Sequence, residues 1–488
     1  MVSCTKASAG NRQQAAVLAL LICLVAPPAI GQKLFPPPTA ADRILVVAPH
    51  PDDEVIGAGG LIQQACAKGA AVRVVYLTNG DHNQIAFKLY KLRLHLRPRQ
   101  YLAFGELRER EATAATALLG LSSEQLTFLG YPDYGTLRIW RDYWGDCPPF
   151  RSDATQATAV PYREAFHYEH PYKPESILTD LEEVLREFRP TKVFVTHPAD
   201  TNPDHRAAAN FVRLAVLSLG GDQPRPQVCY YVVHFGSWPR PYHYHPELVL
   251  EPPHQLLDDG DWLSLPLTPE QTQTKYEAIL QNRTQLTISE YSLVSFARAN
   301  ELFASIDVPV IPAVPANAVI DWRKAIRTRV LKFAPTETPS AADTERPESE
   351  PVSLELEETA FLRQGDDLIA QVTLRNRLGK RANVHLFLFG YKRGEDFAKR
   401  PKLQVNITPL GQVHVFDNGQ RLNNPGVALV SIENRLIVRV PARLLGEPMP
   451  DLLFTATRAN LGEVAADDSA WHLFSLSNHD GNGHNTVE

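Results

Sequence analysis

The stretch Arg43-Ile44-Leu45-Val46-Val47-Ala48-Pro49-His50-Pro51-Asp52-Asp53-Glu54 decides how this chain is read. Its apolar half, Ile44 to Val47, has the length and β-branched content of a short buried strand. Its polar half follows at once, and Val55-Ile56-Gly57-Ala58-Gly59-Gly60 then opens a helical pattern. In an open α/β sheet, ligands gather in the crevice beyond the carboxyl ends of the strands, so a His and a pair of Asp placed there predict chemistry.

Outward from this stretch, short β-branched runs alternate with longer helical ones from Arg43 to about Phe303. Strands are expected over 44–48, 72–78, 126–129, 193–196 and 228–233, and helices over 59–68, 105–119, 176–188 and 204–219. The βαβ alternation predicts a mostly parallel sheet with helices on both faces, spanning a domain of residues 42–308. Within it, 134–174 is rich in Trp, Tyr, Pro and Asp without a clean period, and reads as a long surface insertion. The run from Tyr90 to Arg99 interleaves Lys91, Arg93, His95, Arg97 and Arg99 with apolar residues. Most such runs are solvated faces, and contact with an anionic polymer or membrane surface is the rarer use.

Residues 309–350 hold many Pro, Ala, Thr, Ser and Glu and read as a linker, with a short helix expected around Trp322 to Lys332. The period then becomes two: Leu368, Ala370, Val372 and Leu374 alternate with polar positions, as do Val384, Leu386 and Leu388, and Leu436, Val438 and Val440. With turns such as Asn418-Gly419, this predicts an all-β, sandwich-like domain over 351–476, and 477–488 reads as a disordered tail.

The 488 residues are 44% hydrophobic and 21% charged, an ordinary globular balance for two or three domains. Residues 1–31 stand apart: Lys6 and Arg12 precede an apolar run from Ala15 to Ala26, and Ala29-Ile30-Gly31 offers small residues before Gln32. That is the pattern of a secretory signal peptide, so export to a periplasmic or extracellular compartment is expected. The run falls short of the roughly 20 apolar residues of a membrane span. Cys23 lies inside it after Ile22, which argues against a lipoprotein anchor. Cleavage after Gly31 would leave Cys66, Cys147 and Cys229, with no Cys-x-x-Cys pair. This argues against a disulfide framework and against a thiolate zinc site, and leaves room for one bridge whose pair the sequence does not choose. The formal net charge of −6 gives no reason to expect nucleic acid.

A hydrolytic zinc site has three protein ligands from His, Asp or Glu and keeps a position for water. His50 and Asp53, three apart on a turn, supply two of them. The third is expected at another strand end, in Thr196-His197-Pro198-Ala199-Asp200-Thr201-Asn202-Pro203-Asp204-His205-Arg206, where His205 can reach across the crevice. Asp52, beside ligand Asp53, suits a general base that takes a proton from metal-bound water. Two His and one carboxylate also describe non-haem Fe(II) oxygenases, but those sites usually lie in β-barrel folds.

The segments RILVVAPHPDDEVIGAGG, AVRVVYLTNG and THPADTNPDHRAA resemble the LmbE-like, or PIG-L, family of zinc-dependent N-deacetylases over roughly Arg43 to Val233. The resemblance implies a Rossmann-like sheet and hydrolysis of an acetamide on an N-acetylated glycan or glycoconjugate, usually on N-acetylglucosamine, with Zn2+ or another divalent ion. It implies that His50, Asp53 and His205 are the metal ligands and Asp52 the general base. It further implies that Arg108 and Asp133 contact substrate. Where the family often carries a His that stabilises the oxyanion or leaving group, this chain has Asn202, which donates a hydrogen bond but cannot shuttle a proton. The proton for the departing amine then falls to Asp52, or to His197 or His234 where either faces the crevice. Two rival readings remain: an amidase acting on a non-sugar N-acyl substrate, and a secreted glycan-binding protein that keeps the metal crevice only for recognition. In the β-domain, Phe387, Phe389 and Tyr391 read more easily as core or edge positions than as a sugar-stacking strip.

Overall fold

The computed structural model describes residues 33–82, 97–220, 224–330, 356–378, 382–461 and 464–476. The expected leader at 1–31, the tail at 477–488 and positions 90–96 of the basic run lie outside the described residues.

One sheet is built from β1 (Lys33–Leu34), β2 (Arg43–Ala48), β3 (Ala71–Thr78), β4 (Leu126–Tyr131), β5 (Lys192–Thr196), β6 (Gln227–Tyr231), β7 (Asp261–Pro266) and β8 (Asn300–Ser305). Its order is β1-β7-β8-β6-β5-β2-β3-β4. The run β4-β3-β2-β5-β6 is parallel, and β8 pairs antiparallel with β6 and β7. Helices α1 (Asp53–Ala67), α2 (Pro98–Leu118), α3 (Thr136–Asp142), α4 (Pro174–Phe188) and α5 (Pro203–Ser218) connect these strands.

The apolar run of β2 is continuous because both of its faces are covered. Ile44, Val46 and Ala48 pack with Val55, Ile56 and Leu61 of α1, whereas Leu45 and Val47 pack with Leu181 of α4 and Phe211 of α5. Each of these Ile, Leu, Val and Phe side chains, removed from water, contributes about 1.5–3 kcal/mol. From β2 the chain moves to β3 on one side, and from β5 to β6 on the other. The strand order therefore reverses between β2 and β5, where an open sheet leaves its crevice.

Beyond β8, two further sheets face each other. One runs Ile326–Arg329, Leu356–Gln364, Asp367–Leu374, Arg435–Val440, Ala428–Ile432, and the other is centred on Lys402–Ile407, Ala382–Tyr391 and Leu452–Leu461. Val372 and Val438 from the first meet Leu386 and Val405 from the second in a shared core, as expected for a sandwich. Part of the expected linker belongs to it. Ala313–Val314 pairs parallel, and Ile326–Arg329 antiparallel, with Leu356–Gln364. The helix expected around Trp322 to Lys332 is replaced, over the described residues 322–330, by one 3-10 turn, Trp322–Lys324, and a strand, while 331–350 lie outside the described residues. Ile311 and Ile326 join the sandwich core, an apolar demand that the Pro-rich composition hides.

Period two also explains how the domains join. Leu386 and Leu388 point into the sandwich, so Phe387, Phe389 and Tyr391 point the other way, into a core shared with the first domain. Trp140 of α3, in the expected surface insertion, lies fully buried at the centre of this core. Its ring centroid is 5.3 Å from Phe454, 5.7 Å from Trp471, 6.0 Å from Phe397 and 6.2 Å from Phe389. The insertion is thus the seat of the β-domain. Truncation by Trp140→Ala should cost about 3–5 kcal/mol, read as a lowered denaturation midpoint of the whole chain. An unchanged midpoint would show that the domains do not share this core.

Candidate metal centre and active site

The crevice between the ends of β2 and β5 receives two loops. After β2, Pro49-His50-Pro51-Asp52 turns sharply into α1, and the Asp53 carboxylate accepts the His50 backbone N–H at 2.9 Å, which closes the turn. After β5, the chain crosses to α5, whose N-terminus Asn202 caps by accepting the Asp204 N–H at 2.9 Å. His205 lies in the first turn of α5, fully buried.

These loops bring His50, Asp53 and His205 together although the last is 155 positions from the first. His50 Nδ1 is 3.1 Å from His205 Nε2 and 3.2 Å from Asp53 Oδ2, and His205 Nε2 is 3.1 Å from Asp53 Oδ2. The outer ring nitrogens face carboxylates. His50 Nε2 lies 3.2 Å from Asp133 and 3.3 Å from Asp204, and His205 Nδ1 lies 3.2 Å from Asp200. With the ring protons on that outer side, the lone pairs of His50 Nδ1, His205 Nε2 and Asp53 Oδ2 aim at one point. Zn–N and Zn–O bonds of roughly 2.0–2.2 Å place tetrahedral ligands about 3.3 Å apart, so this donor set fits a divalent cation.

The electrostatics agree. Burial works against charge on every member, yet the carboxylates and imidazoles outweigh it for one another. Asp53 is held well below the usual carboxylate range by His205 and His50. Asp200 is likewise lowered by His205, and Asp133 by His50. His205 is pushed up to about 9 by Asp200 and Asp53. A field that favours an imidazolium also favours a metal cation, and the two compete.

Asp52 stands apart from this set. It has φ 130°, a region L-residues rarely occupy, and its side chain makes no cap to α1. Burial pushes its carboxyl up to about 7 against the pull of Arg108, whose Nη2 is 3.4 Å away. Arg108 also donates to the Pro51 carbonyl at 2.7 Å and the Gly80 carbonyl at 2.8 Å, clamping the turn from α2. His50, Asp52, Arg108, Asp133, Asn202 and His234 all line one cleft of about 350 Å³.

One expectation shifts. His197 is buried outside the cleft: its Nδ1 accepts the Ala199 N–H at 3.1 Å, its ring stacks on Trp262, and burial pulls it down to about 3. It cannot reach a departing amine. Asp133 lines the cleft, as a substrate contact would, and it also accepts the His82 N–H at 2.8 Å and faces His50, so its carboxylate is tied to that ring as well. His234 is exposed, with its ring 4.9 Å from that of His205. Sequence pattern alone does not single out Asp200 and Asp204. Asp204 accepts from the Tyr134 N–H and from Thr136, at both its N–H and its hydroxyl, so it ties the start of α3 to His50. The signal available for both was general: a metal-binding imidazole needs a carboxylate behind it.

Residues 45–216 match the family model described as PIG-L, GlcNAc-PI de-N-acetylase. The 1D-myo-inositol 2-acetamido-2-deoxy-alpha-D-glucopyranoside deacetylase 1 of Saccharopolyspora erythraea is 35% identical over 186 residues, 37% of this chain and 55% of the relative. The corresponding deacetylase of a Mycobacterium species is 33% identical over 171 residues, 33% of this chain and 46% of the relative. The chain thus spans about half the length of the curated relatives it matches. Among solved structures, the N,N'-diacetylchitobiose deacetylase from Pyrococcus horikoshii aligns with 54% of this chain and 83% of its own, at 20% identity and a TM-score of 0.32. The part of this chain that carries the crevice is a PIG-L (LmbE-like) deacetylase family domain.

Proposed function

We infer that this protein is an exported, zinc-dependent N-deacetylase that removes acetyl from an N-acetylated sugar, of N-acetylglucosamine type, in a glycoconjugate or polysaccharide. The observation that carries this reading is the convergence of His50 Nδ1, Asp53 Oδ2 and His205 Nε2 within 3.2 Å of one another, with Asp52 beside them in the cleft. A divalent cation held there supplies Lewis acidity, polarising a carbonyl and making water acidic near neutrality.

The chain's own groups do the rest. Asp52, held by Arg108, takes the proton from the attacking water as the new C–O bond forms. Asn202, its carbonyl occupied by the Asp204 N–H, turns its amide N–H groups to the developing oxyanion. When the C–N bond breaks, the proton passes from Asp52 to the amine, so acetate and a free amino sugar leave and the carboxylate is restored. His234, at the cleft edge, is the second group placed to contact the sugar or the amine. Another cleft, of about 920 Å³, shares Thr201, Phe235, Gly236 and Trp238 with the first, so an acetamide bound in the first has room to carry a large attached group. That favours a glycoconjugate or oligosaccharide over a free monosaccharide.

The direct test is acetate release from a panel of N-acetylated glycans after chelation and zinc restoration. Loss and recovery with zinc is expected; release that survives chelation would remove the metal from the reaction. Asp52→Asn should keep near-stoichiometric zinc and release no acetate, and retained turnover would end the general-base role. Replacing Asp200 or Asp204 by Ala should weaken zinc binding about 10–100-fold. Unchanged affinity would mean that these carboxylates do not orient the ligands. Export is checked by the N-terminal sequence of protein recovered outside the cytoplasm: Gln32 is expected, and an intact Met1 start would contradict it.

A further inference from the structure

We propose a second divalent-cation site, formed by His167, His170 and Asp180, that fastens the insertion to α4. His167 and His170 stand three apart in His167-Tyr168-Glu169-His170, and Glu169 between them has φ 65°. Their Nδ1 atoms lie 2.8 and 2.9 Å from the same oxygen, Asp180 Oδ1, and the three donor atoms all fall within 4.8 Å of one another.

Asp180 is completely buried, and its other oxygen accepts the Tyr131 hydroxyl at 2.7 Å. Among the described residues its ion-pair partners are these two imidazoles, with no Lys or Arg in contact. A buried carboxylate needs compensating positive charge, and here it comes from the imidazoles or from an ion they share.

The donor set repeats the composition of the crevice: two His nitrogens and one carboxylate oxygen, two of the three residues spaced i, i+3 and the third on a helix. Behind the first ring, His167 Nε2 is 3.7 Å from Glu183 Oε2, the kind of outer carboxylate that orients a metal-binding imidazole. The side chains of His167 and His170 are 33% and 31% exposed, so an ion can enter and keep water on its outer side. Tetrahedral zinc ligands sit roughly 3.3 Å apart, so the partly exposed rings, at 2.8 and 2.9 Å from Asp180 Oδ1, would move outward by about 0.4–0.5 Å to hold an ion. Borderline ions such as Zn2+ suit this N2O set better than Ca2+ or Mg2+, which prefer oxygen throughout. None of these residues lines the catalytic cleft, so the site is independent of the reaction there.

The test uses the full chain, stripped by chelation and titrated with Zn2+ alone, with bound metal counted per chain after gel filtration. Two zinc ions are expected for the parent protein and one for the His167→Asn, His170→Asn double variant, whose amides still donate to Asp180. Acetate release by the double variant should stay at the parental level. Asp53→Ala, which disables the crevice, should keep the second ion. Equal zinc counts in the parent and the double variant would overturn the proposal. Asp180→Asn, which retains a partner for Tyr131, should lose the same ion, and a parental zinc count in that variant would equally overturn it.

Discussion

The crevice depends on how two imidazoles are pinned from behind. Asp204 and Asp133 face the outer nitrogen of His50, Asp200 faces that of His205, and only then do the inner nitrogens aim their lone pairs at the point they share with Asp53 Oδ2. A His ring free to rotate would lose this alignment, and a buried carboxylate without its imidazole would be left uncompensated. The carboxylates behind the rings therefore shape the centre together with His50, Asp53 and His205. Asp204 extends the constraint further: it is held by Tyr134 and Thr136, at the start of α3.

That link gives the β-domain a place in the architecture. Helix α3 carries Thr136 at one end and Trp140 one turn on, and Trp140 is enclosed by Phe389, Phe397, Phe454 and Trp471 of the β-domain. A second brace acts next to His205, where Arg206 Nη1 pairs with Asp468 at 3.0 Å. Both contacts tie segments next to the crevice to the β-domain. The aromatic residues that could have formed an exposed sugar-stacking strip, Phe387, Phe389 and Tyr391, are buried in that union. A rigid surround also explains how Asp52 keeps its unfavourable backbone at φ 130°: the Arg108 clamp on Pro51 and the Glu54 carboxylate on the Asp52 N–H hold it there.

Much of this was legible from sequence, for definable reasons. Continuous apolar runs bounded by helical patterns place β2, β3 and β5, and a motif at the end of each of two such strands brings His50, Asp53 and His205 to one crevice. Period two gives the sandwich, but it shows Phe387, Phe389 and Tyr391 only as core or edge positions; that they join the first domain is seen from the shared core. What pattern could not show is pairing that depends on three-dimensional neighbours. His197 sits in a motif-like setting, yet its ring turns away to stack on Trp262. Asp200 and Asp204 look like ordinary capping residues until their distances to the imidazoles are known. Ile311 and Ile326 are isolated apolar residues in a Pro-rich stretch, and only the sandwich core reveals their use. The aperiodic insertion hides α3 because a seven-residue helix leaves too little periodicity to detect.

The most direct measurement is anomalous diffraction at the zinc edge from crystals of the full chain soaked in Zn2+. A peak about 2.0–2.2 Å from His50 Nδ1, Asp53 Oδ2 and His205 Nε2 together is expected, with the Asp52 carboxylate outside bonding distance. A crevice without a peak, or one whose ion is bound by Asp52 in place of His205, would contradict the assignment of ligands and base alike.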